Sequence, residues 1–433
     1  MPTKNEFPIK EICGSHLCNG CGTCVGICSA NAIEMKLLQG INRAFVTGSK
    51  CNNCGLCAKV CPGTFLNFNE LNEFVFGKIP DDVSLGNYIG CYIGHSSVEK
   101  IWSEAPSSGG VVTGLLIFAL EKGIIDGALV TRMNHNNPLE PETFIARNKE
   151  DILSAAGSKY CPVSANSGIK TILKSEGKFA VVGLPCHIQG IRKAELLNNT
   201  LKEKIVLHIG LFCSHVNSFL ATQCLLERMG VAPSNVANLE YRTGGWPGNL
   251  TLSLKNSSDV SIPYSHYWDC IFGSFFFTPV ACTLCTDPTN ELSDISVGDP
   301  WSPGGKNLKK GLTTIIARTE WGKKLLVSAW SNNQIELMHL DCNAVKQSQK
   351  FNLAFKKKTI GIRATILQQF GKRKPMVIPQ PKSSACSAYL AALLPLVSIY
   401  LSSFQRFRWV LKYTPYPLLQ FYFRLSSVTL LLV

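Results

Sequence analysis

The sequence predicts a small, cysteine-rich α+β module, then an α/β domain with a mainly parallel sheet, and finally a helical, apolar C-terminal tail. Three observations predict this order. Two cysteine runs of identical spacing lie between residues 18 and 61, apolar strands alternate with helices from about residue 101, and residues 383–405 carry no charge. The predicted parts are the module at 10–70, a linker at 71–100, the α/β domain at 101–345 and the tail at 346–433.

The two cysteine runs share the spacing C-x2-C-x2-C-x3-C. This spacing is typical of bacterial ferredoxins, in which three cysteines of a run bind one 4Fe–4S cluster and the fourth binds the other cluster. It predicts a ferredoxin-like module with two such clusters, one held by Cys18, Cys21, Cys24 and Cys61, the other by Cys51, Cys54, Cys57 and Cys28. The alternatives are disulfides or a pair of zinc sites, although zinc sites usually take four ligands as two pairs.

Composition narrows the class of protein. With 45% hydrophobic and 17% charged residues, the chain can bury a sizeable core. The net charge is +14, and much of the excess lies in the late basic runs 356–358 and 372–374. No nucleic-acid motif accompanies these runs, so we do not expect nucleic acid as a partner. The cluster motifs, and the lack of a secretory signal in residues 1–10, predict a cytoplasmic location.

The region from 101 to 345 alternates between helix and strand. The predicted helices are Val111–Lys122, two near 187–198 and 218–229, and Trp321–Trp330, and the predicted strands are Ile124–Arg132, Phe179–Leu184, Ile205–Phe212, Asp294–Val297 and Leu312–Arg318. Continuous apolar strands separated by helices predict a parallel sheet covered on both faces. Ligands of such sheets bind at the carboxyl ends of the strands.

Four more cysteines could form a third site at that edge. Cys186 and Cys213 each come just after a predicted strand, and Cys282 and Cys285 form a later C-x2-C pair. Neighbouring parallel strands would bring the first two to one edge, where the four thiols could hold a third 4Fe–4S cluster. The alternative is two core cysteines and a separate redox or structural pair, and the spacing alone leaves both open.

A Ser-Ser-Gly-Gly segment precedes the helix that begins at residue 111. A helix N-terminus offers unpaired N–H groups and a positive dipole end, so Ser107, Ser108, Gly109 and Gly110, with Thr113, predict a phosphate site. Serine is also a common helix cap, so a purely structural role is the alternative. The segment matches neither the dinucleotide glycine pattern nor the P-loop.

Several separated motifs occur together in one order. They are 107–113 (SSGGVVT), 157–160 (GSKY), 183–186 (GLPC), 211–213 (LFC), 241–248 (YRTGGWPG), 282–287 (CTLCTD) and 294–299 (DISVGD). This set resembles the family of coenzyme F420 hydrogenase and dehydrogenase β-subunits over residues from about 90 to 340. The chain departs from that family at Ala281, where relatives often carry a basic residue, which puts an anionic-substrate contact in doubt.

The resemblance implies an FAD in the α/β domain and hydride exchange with the deazaflavin coenzyme F420. It also implies single-electron transfer through 4Fe–4S clusters to a redox partner protein, and it favours the third cluster. The implied flavin contacts are the residues of the Ser-Ser-Gly-Gly turn, Thr113, and a second group, Ser158, Lys159 and Tyr160. His187, His215 and Asp299 are candidates for proton relay or ligand orientation. The alternatives are a reductase of another organic substrate, in pigment or polysaccharide metabolism, and a non-catalytic electron-transfer subunit.

The C-terminal tail begins with a nearly apolar stretch, Ala388–Phe404. This stretch is shorter than the ~20 residues of a spanning helix, and Pro395 interrupts it. Arg406, Arg408, Lys412 and Arg424 then interleave with aromatic residues. This pattern predicts peripheral contact with an anionic membrane surface, at the inner face of the cell membrane. The alternative is a helical hairpin packed on the domain or on a partner subunit.

Overall fold

The computed structural model describes residues 9–12, 15–98, 108–301, 311–380 and 388–433. Ser107, one of the predicted flavin contacts, lies outside these residues. The strands are β1 (Ile33–Leu38), β2 (Ile41–Val46), β3 (Phe65–Asn67), β4 (Gly90–Ser96), β5 (Gly127–Met133), β6 (Pro141–Ala146), β7 (Phe179–Gly183), β8 (Ile205–Leu211), β9 (Val236–Thr243), β10 (Asn249–Leu254), β11 (Asp259–Pro263), β12 (Ile295–Gly298), β13 (Thr313–Ala317), β14 (Ile335–His339) and β15 (Met376–Ile378).

Helices connect most of these strands. The α-helices are Ile9–Ile12, Thr23–Ile27, Leu56–Lys59, Phe68–Phe76, Val111–Glu121, Lys149–Ser154, Ile169–Lys174, Pro185–Glu195, Asn199–Lys204, Phe219–Met229, Tyr264–Tyr267, Val280–Thr283, Glu320–Ser331, Cys342–Ser348, Lys350–Leu353, Ile360–Gln369, Ala388–Ser403, Gln405–Tyr413 and Tyr416–Leu431. Trp268–Phe272 and Ala354–Lys358 are π-helical, and short 3-10 helices lie at Gly48–Lys50, Ala165–Gly168 and Pro233–Asn235.

The largest sheet has the strand order β14-β4-β13-β12-β8-β7-β5-β6. Its four central strands, β12, β8, β7 and β5, are parallel, whereas β6 at one edge and β13, β4 and β14 at the other pair antiparallel. The predicted parallel sheet is therefore confirmed at its centre, and the sheet as a whole is mixed. The short connection from β5 to β6 allows only an antiparallel pair, because a parallel pair needs a crossover of a dozen residues or so.

Strand β4 corrects one sequence-based interpretation. It lies inside the segment 71–100, which was predicted as a linker, yet it pairs with both β13 and β14. Its sequence, Gly-Cys-Tyr-Ile-Gly-His-Ser, has no continuous apolar run of the kind that marks the central strands. Part of the predicted linker therefore belongs to the sheet.

The central sheet is covered on both faces. Along β5 and β7, Ala128, Val130 and Ala180 pack with the helices Val111–Glu121 and Glu320–Ser331 on one face. The alternate residues, including Leu129, Phe179 and Val181, pack on the other face with the helices Ile169–Lys174 and Pro185–Glu195, and the cysteine-rich module joins the same cluster. Alternate side chains of a strand point to opposite faces, so the module packs against one face of the α/β domain.

The cysteine-rich module contains a strand pair between its two cysteine runs. Strands β1 and β2 form an antiparallel hairpin in which Ile33 pairs with Val46, and Gly40 in the turn has a φ of 75°, a left-handed conformation that favours glycine. Strand β3 pairs in parallel with β15. A strand of the tail region therefore lies directly against the module.

A separate antiparallel sheet of order β11-β10-β9 precedes the aromatic segment 264–272. The last two helices, Gln405–Tyr413 and Tyr416–Leu431, join the apolar cluster of that segment, and Ala388–Ser403 packs against both of them; for example, the hydroxyls of Ser398 and Tyr422 are 2.6 Å apart. Among the described residues, no single helix has the length and apolar composition to cross a membrane. Two consecutive helices pass that test only when they are taken together, by length and composition alone. They are Ala388–Ser403 and Gln405–Tyr413, and the chain bends by 104° between them.

Candidate functional site

The first cysteine run lines a cavity at the base of the module. Helix Thr23–Ile27 begins after Gly22, whose φ of 83° lets the chain turn tightly between the ligands. The cavity is lined by all four cysteines predicted to hold one cluster, namely Cys18, Cys21, Cys24 and Cys61, with Gly20, Gly22 and Gly63 between them and Ile9, Ile12, Met35 and Ala44 around them. The first predicted ligand set is thus brought together.

The second cysteine run makes a similar turn at the surface. Helix Leu56–Lys59 begins after Gly55, which has a φ of 75°. Cys54 is exposed, and Cys51 and Cys57 are half-buried. The same motif therefore occupies two environments, one enclosed and one open to solvent.

The fourth cysteine of each run lies beside the other run. The pKa of the Cys61 thiol is raised to about 12, first by burial and then by the nearby charges of Cys21 and Cys18. The pKa of Cys57 is raised to about 11 by burial and by the charges of Cys54 and Cys28. These proximities are those that the predicted exchange of fourth ligands requires.

The third group of cysteines also converges. Burial raises the pKa of Cys186 well above its usual value, and Cys213, Cys285 and Cys282 all lie close enough for their charges to raise it further. The pKa of Cys213 is likewise raised to about 12 by burial, by Cys282 and by Cys285. Cys21, a ligand of the first predicted cluster, also acts on Cys186. The third group therefore lies next to the first cluster site.

The sheet positions this third group as the sequence predicts. Strands β7 and β8 are parallel neighbours, so Cys186 and Cys213 follow the carboxyl ends of adjacent strands. Strand β12 pairs in parallel with β8, and the loop before it crosses the same edge. There the N–H of Cys213 donates to the carbonyl of Pro288 at 2.9 Å, and the amide of Asn290 donates to the carbonyl of Gly183 at 2.8 Å.

Every described cysteine is a free thiol. In the part of the chain that the structure describes, no three His, Cys, Asp or Glu side chains converge on a position for a single metal ion. A 4Fe–4S cluster places its four thiolates on four different irons, so its ligands stand further apart than those of one zinc ion.

Lys356 contacts the third cysteine group from the π-helical segment 354–358. Its side chain is 2% exposed. Its Nζ donates to the Cys285 sulfur at 3.2 Å and to the Asp287 carbonyl at 3.0 Å. Burial acts to lower the pKa of this ammonium, but the neighbouring thiolates outweigh burial and raise it. In the sequence, Lys356 is only part of a basic run, which does not predict this contact.

Arg242 connects the two predicted flavin segments. Its Nη1 donates to the Ser108 hydroxyl at 3.0 Å and to the Asp299 carboxylate at 2.6 Å. Burial raises the pKa of the Tyr160 hydroxyl, in the second segment, and the nearby side chains of Arg242 and Ser158 partly offset that rise. Ser108, Tyr160 and Asp299 therefore lie around one buried guanidinium, with Ser158 beside Tyr160. In the sequence, Arg242 stands within the motif 241–248, which does not by itself predict this role.

The polar groups around Arg242 test whether this site suits a flavin nucleotide. The hydroxyls of Tyr264 and Tyr267, the indole N–H of Trp246 and Oδ1 of Asp299 are buried without a hydrogen-bond partner in the described residues. The hydroxyls of Tyr264 and Tyr267 lie close enough to Arg242 and Asp299 for both charges to act on them. Buried polar groups are normally satisfied, so the three unsatisfied donors of Trp246, Tyr264 and Tyr267 beside a cation fit a polar, anionic ligand, and Oδ1 of Asp299 could accept from a donor of the same ligand.

The glycine turn adds to this donor set. Gly109 and Gly110 both have positive φ values, 77° and 69°, and no side chain caps the helix Val111–Glu121 that follows. Thr113 lies in its first turn. The helix N–H groups therefore lack a side-chain cap in the described residues, which suits phosphate oxygens.

The Lys159 ammonium contacts the backbone of its own segment. Its Nζ donates to the carbonyls of Ala155, Ala156 and Gly157 at 2.6, 2.7 and 3.0 Å. Burial lowers the pKa of this ammonium to about 8. The side chain caps the end of the preceding helix, so the structure gives the predicted phosphate or ring contact of Lys159 no geometric support.

The two candidate histidines use both ring nitrogens locally. His187 accepts from the Leu184 N–H at Nδ1 and lies 3.1 Å from the Val163 carbonyl through Nε2. His215 lies 2.8 Å from the Phe272 carbonyl through Nε2 and 3.2 Å from the Ser214 hydroxyl. Burial lowers the pKa of each to about 4. These contacts are those of neutral, structural histidines, and a relay role stays a prediction.

Two family models together match most of the α/β domain. The model described as "Coenzyme F420 hydrogenase/dehydrogenase, beta subunit N-term" matches residues 91–170. The model for the C terminus of the same subunit matches residues 176–342. A model for a 4Fe–4S dicluster domain matches residues 17–64. Both cysteine runs lie inside that last match, so the module is a 4Fe–4S cluster-binding domain.

Relatives and a solved structure agree with these matches. The coenzyme F420 hydrogenase subunit beta of Methanosarcina barkeri is 27% identical over 307 residues, which are 68% of this chain and 99% of that protein. Its counterpart of the same name in Methanothermobacter thermautotrophicus is 28% identical over 244 residues, 54% of this chain and 78% of that one. In the F420-reducing [NiFe] hydrogenase complex of Methanosarcina barkeri, one chain aligns with a TM-score of 0.54 and 26% identity, covering 69% of this chain and 98% of that one.

Proposed function

The chain belongs to the family of coenzyme F420 hydrogenase/dehydrogenase beta subunits, and from this we propose that it exchanges hydride with coenzyme F420 at the Arg242 site and passes electrons singly through 4Fe–4S clusters. A flavin bound there supplies the conversion between a two-electron hydride and single electrons. The observation that carries the proposal is the convergence of Ser108, Tyr160 and Asp299 on Arg242, with Ser158 beside Tyr160.

The residues of this site have distinct roles in the proposal. Arg242 and the helix N-terminus after Gly110 bind the anionic part of the flavin nucleotide, and Asp299 orients Arg242. Trp246 and Tyr264 each pack against Trp301, with ring centroids 5.2 and 5.6 Å apart. Trp301 is 36% exposed, so these rings form an aromatic surface at the solvent end of the site that suits a planar substrate ring.

We propose three clusters in a sequence that leads from this site to the surface. The third cysteine group would hold one cluster beside the first cavity, because Cys186 lies within electrostatic reach of Cys21. The exposed second run would then be the exit, where a redox partner docks. The solved relative is a hydrogenase complex, and we propose that this chain likewise acts as a subunit of a larger assembly.

Anaerobic purification tests the cofactor set. We expect about twelve irons per chain for three clusters, a yellow cofactor released by denaturation, and reduction of F420 by chemically reduced protein. Iron and flavin without F420 activity would favour the reductase of another organic substrate. Iron without flavin would favour the non-catalytic electron-transfer subunit.

A pair of variants at Gly110 tests the flavin site. Asn and Asp tolerate the left-handed conformation of this residue about equally. Gly110→Asp should lose flavin because its carboxylate repels the phosphates at the helix N-terminus, whereas Gly110→Asn should keep most of it. Iron content should be unchanged in both. Equal flavin content in the two variants would show that the turn is only a helix start.

We also propose that the C-terminal helices lie on an anionic membrane surface. The chain up to Asp341 carries 29 basic and 29 acidic residues, whereas the remainder carries 14 Lys or Arg and no Asp or Glu. The whole net charge therefore lies in the last part of the chain. An all-basic segment next to aromatic side chains suits the headgroup region of anionic lipids.

The outward faces of these helices are apolar. Along and just after Tyr416–Leu431, a row at spacings of three and four is 45–74% exposed and consists of Leu418, Phe421, Leu425, Val428 and Leu432. Trp409 and Tyr413 are 65% and 61% exposed on the preceding helix. Such rows are not typical of a water-facing surface.

Flotation with vesicles tests this location. The protein should float with phosphatidylglycerol vesicles and not with phosphatidylcholine vesicles. Phe421→Glu should weaken flotation, whereas Leu38→Glu, an equally drastic change at an exposed site of the module, should not. Concentration-dependent self-association without lipid binding would instead assign the apolar rows to a second copy of the chain.

A further inference from the structure

The C-terminal extension reaches into the third cysteine group. The family models end at residue 342, yet two cations beyond that point contact the Cys282–Cys285 loop. Arg363 is fully buried, its Nε donates to the Thr283 carbonyl at 3.0 Å, and its guanidinium lies 3.9 Å from the centre of the Phe355 ring. Arg363 thus holds the loop backbone.

Lys356 contacts the loop at a sulfur rather than at the backbone alone. Of its two hydrogen bonds, one goes to the Cys285 sulfur and the other to the Asp287 carbonyl. The same ammonium is close enough to Cys213 and Cys282 to act on both thiols. One buried positive charge therefore acts on three of the four proposed ligands.

The neighbouring charges do not cancel this effect. Lys357 turns away and pairs with Glu291 at 2.5 Å. The carboxylate of Asp287 accepts two hydrogen bonds from the N–H of Glu291 and one from the Gln189 amide, which stabilise its negative charge in place. Lys356 offsets that charge, and it also donates directly to the sulfur of Cys285, a proposed ligand.

We propose that Lys356 is a positioning residue that raises the reduction potential of a 4Fe–4S cluster held by Cys186, Cys213, Cys282 and Cys285. The inference rests on the proposed third cluster. Reduction adds one electron and one negative charge to the cluster, with no proton required. A cation that donates to a ligand sulfur stabilises this more negative form, because hydrogen bonds and net charge set cluster potentials.

This role gives the extension a function in electron flow. The third cluster would stand between the Arg242 site and the first cluster site, so its potential decides how readily it accepts an electron and passes it on. The C-terminal family model ends at residue 342, so Lys356 lies outside the matched family domain. The extension would therefore adjust the central step of the pathway without contacting substrate.

The test is a redox titration of the whole protein followed by electron paramagnetic resonance. Comparison with Cys186→Ser, which should lack the third cluster, identifies its signal. Lys356→Met should lower the equilibrium constant for reduction of this cluster at least tenfold, which is about 59 mV for a one-electron couple. The other two clusters should keep their potentials.

Matched variants separate charge from other effects. Lys358→Met removes the same charge two residues away, from an exposed side chain, and should leave all potentials unchanged. Lys356→Arg should retain the native potential, and Lys356→Gln, which keeps a donor but not the charge, should show a lowered one.

Each result supports or overturns either the role of Lys356 or the third cluster itself. Unchanged potential in Lys356→Met with full iron content would overturn the role of Lys356. If Lys356→Met fails to hold the third cluster, Lys356→Gln and Lys356→Arg decide. A native potential in Lys356→Gln would overturn the role of Lys356. A lowered potential in Lys356→Gln together with a native potential in Lys356→Arg would support it. About eight irons in the unaltered protein, four per cubane, would instead overturn the third cluster itself.

Discussion

The two cysteine runs have identical spacing but opposite surroundings. In the first run, the thiols of Cys18, Cys21 and Cys24 are buried, whereas in the second run Cys54 is exposed. The corresponding glycines show the same contrast. A Cβ at Gly22 would lie 2.6 Å from the Ser167 hydroxyl and 2.9 Å from the Ser164 carbonyl, but a Cβ at Gly55 would meet nothing within 4 Å.

This contrast separates what the motif specifies from what the fold specifies. The local spacing determines which thiols can share a cluster. The packing against segment 164–167 of the α/β domain determines which run is enclosed, near Cys186, and which is open to solvent. The proposed series of clusters would have a direction because one loop is docked and the other is open.

Alanine substitutions at Gly22 and Gly55 should give the largest difference between the two cysteine runs. Gly22→Ala and Gly55→Ala both force alanine into the left-handed region, at a cost of about 1–2 kcal/mol each. Only Gly22→Ala also clashes with the backbone of the α/β domain. We expect it to lose the first cluster, about four irons per chain, as measured by iron analysis after anaerobic purification.

Gly55→Ala serves as the matched control and should keep its full iron content. Similar losses in both variants would mean that the left-handed conformation alone limits cluster assembly, and that the docking of the first run contributes nothing to it.

A chelator should distinguish the two cluster sites by rate. Iron should leave the protein in at least two phases, with about four irons in the fast phase, because the second run is open to solvent. Cys54→Ser should remove the fast phase selectively, and Cys21→Ser should leave it in place. A single phase in the unaltered protein would contradict unequal exposure of the two sites.

Much of the site was predictable because its chemistry is local in sequence. Ligand spacing within a run is fixed by the size of one cluster, and strand ends place Cys186 and Cys213 on one edge of the parallel centre. The exchange of fourth ligands, Cys28 and Cys61, follows from the same repeat and agrees with their neighbours in the structure.

The contacts that were missed join distant parts of the chain. Arg242 and Ser108 are 134 residues apart, and Lys356 and Cys285 are 71 apart. No local pattern reports such pairs. Lys159 shows the converse case, because a lysine that the family resemblance suggested as a flavin contact instead donates to three carbonyls within four residues of itself. Strand β4 was missed because it lacks a continuous apolar run.

The smallest expected effect concerns the residue after each glycine. Thr23 in the first run is fully buried. Its hydroxyl accepts a hydrogen bond from the Asn166 amide at 2.8 Å and lies 3.2 Å from the Cys21 sulfur. Leu56 holds the matching position in the second run. Thr23→Val keeps the shape and removes the hydroxyl, so the Asn166 amide loses one partner and keeps its bond to the His187 carbonyl. The free energy of unfolding should fall by about 1–2 kcal/mol, measured by denaturant titration under anaerobic conditions.

Leu56→Val, at the open run, should change the free energy of unfolding by less than about 0.5 kcal/mol beyond its lost methylene. A loss in Thr23→Val no larger than that in Leu56→Val would mean that this hydroxyl does not help to dock the first run, and that apolar packing alone holds it against the α/β domain.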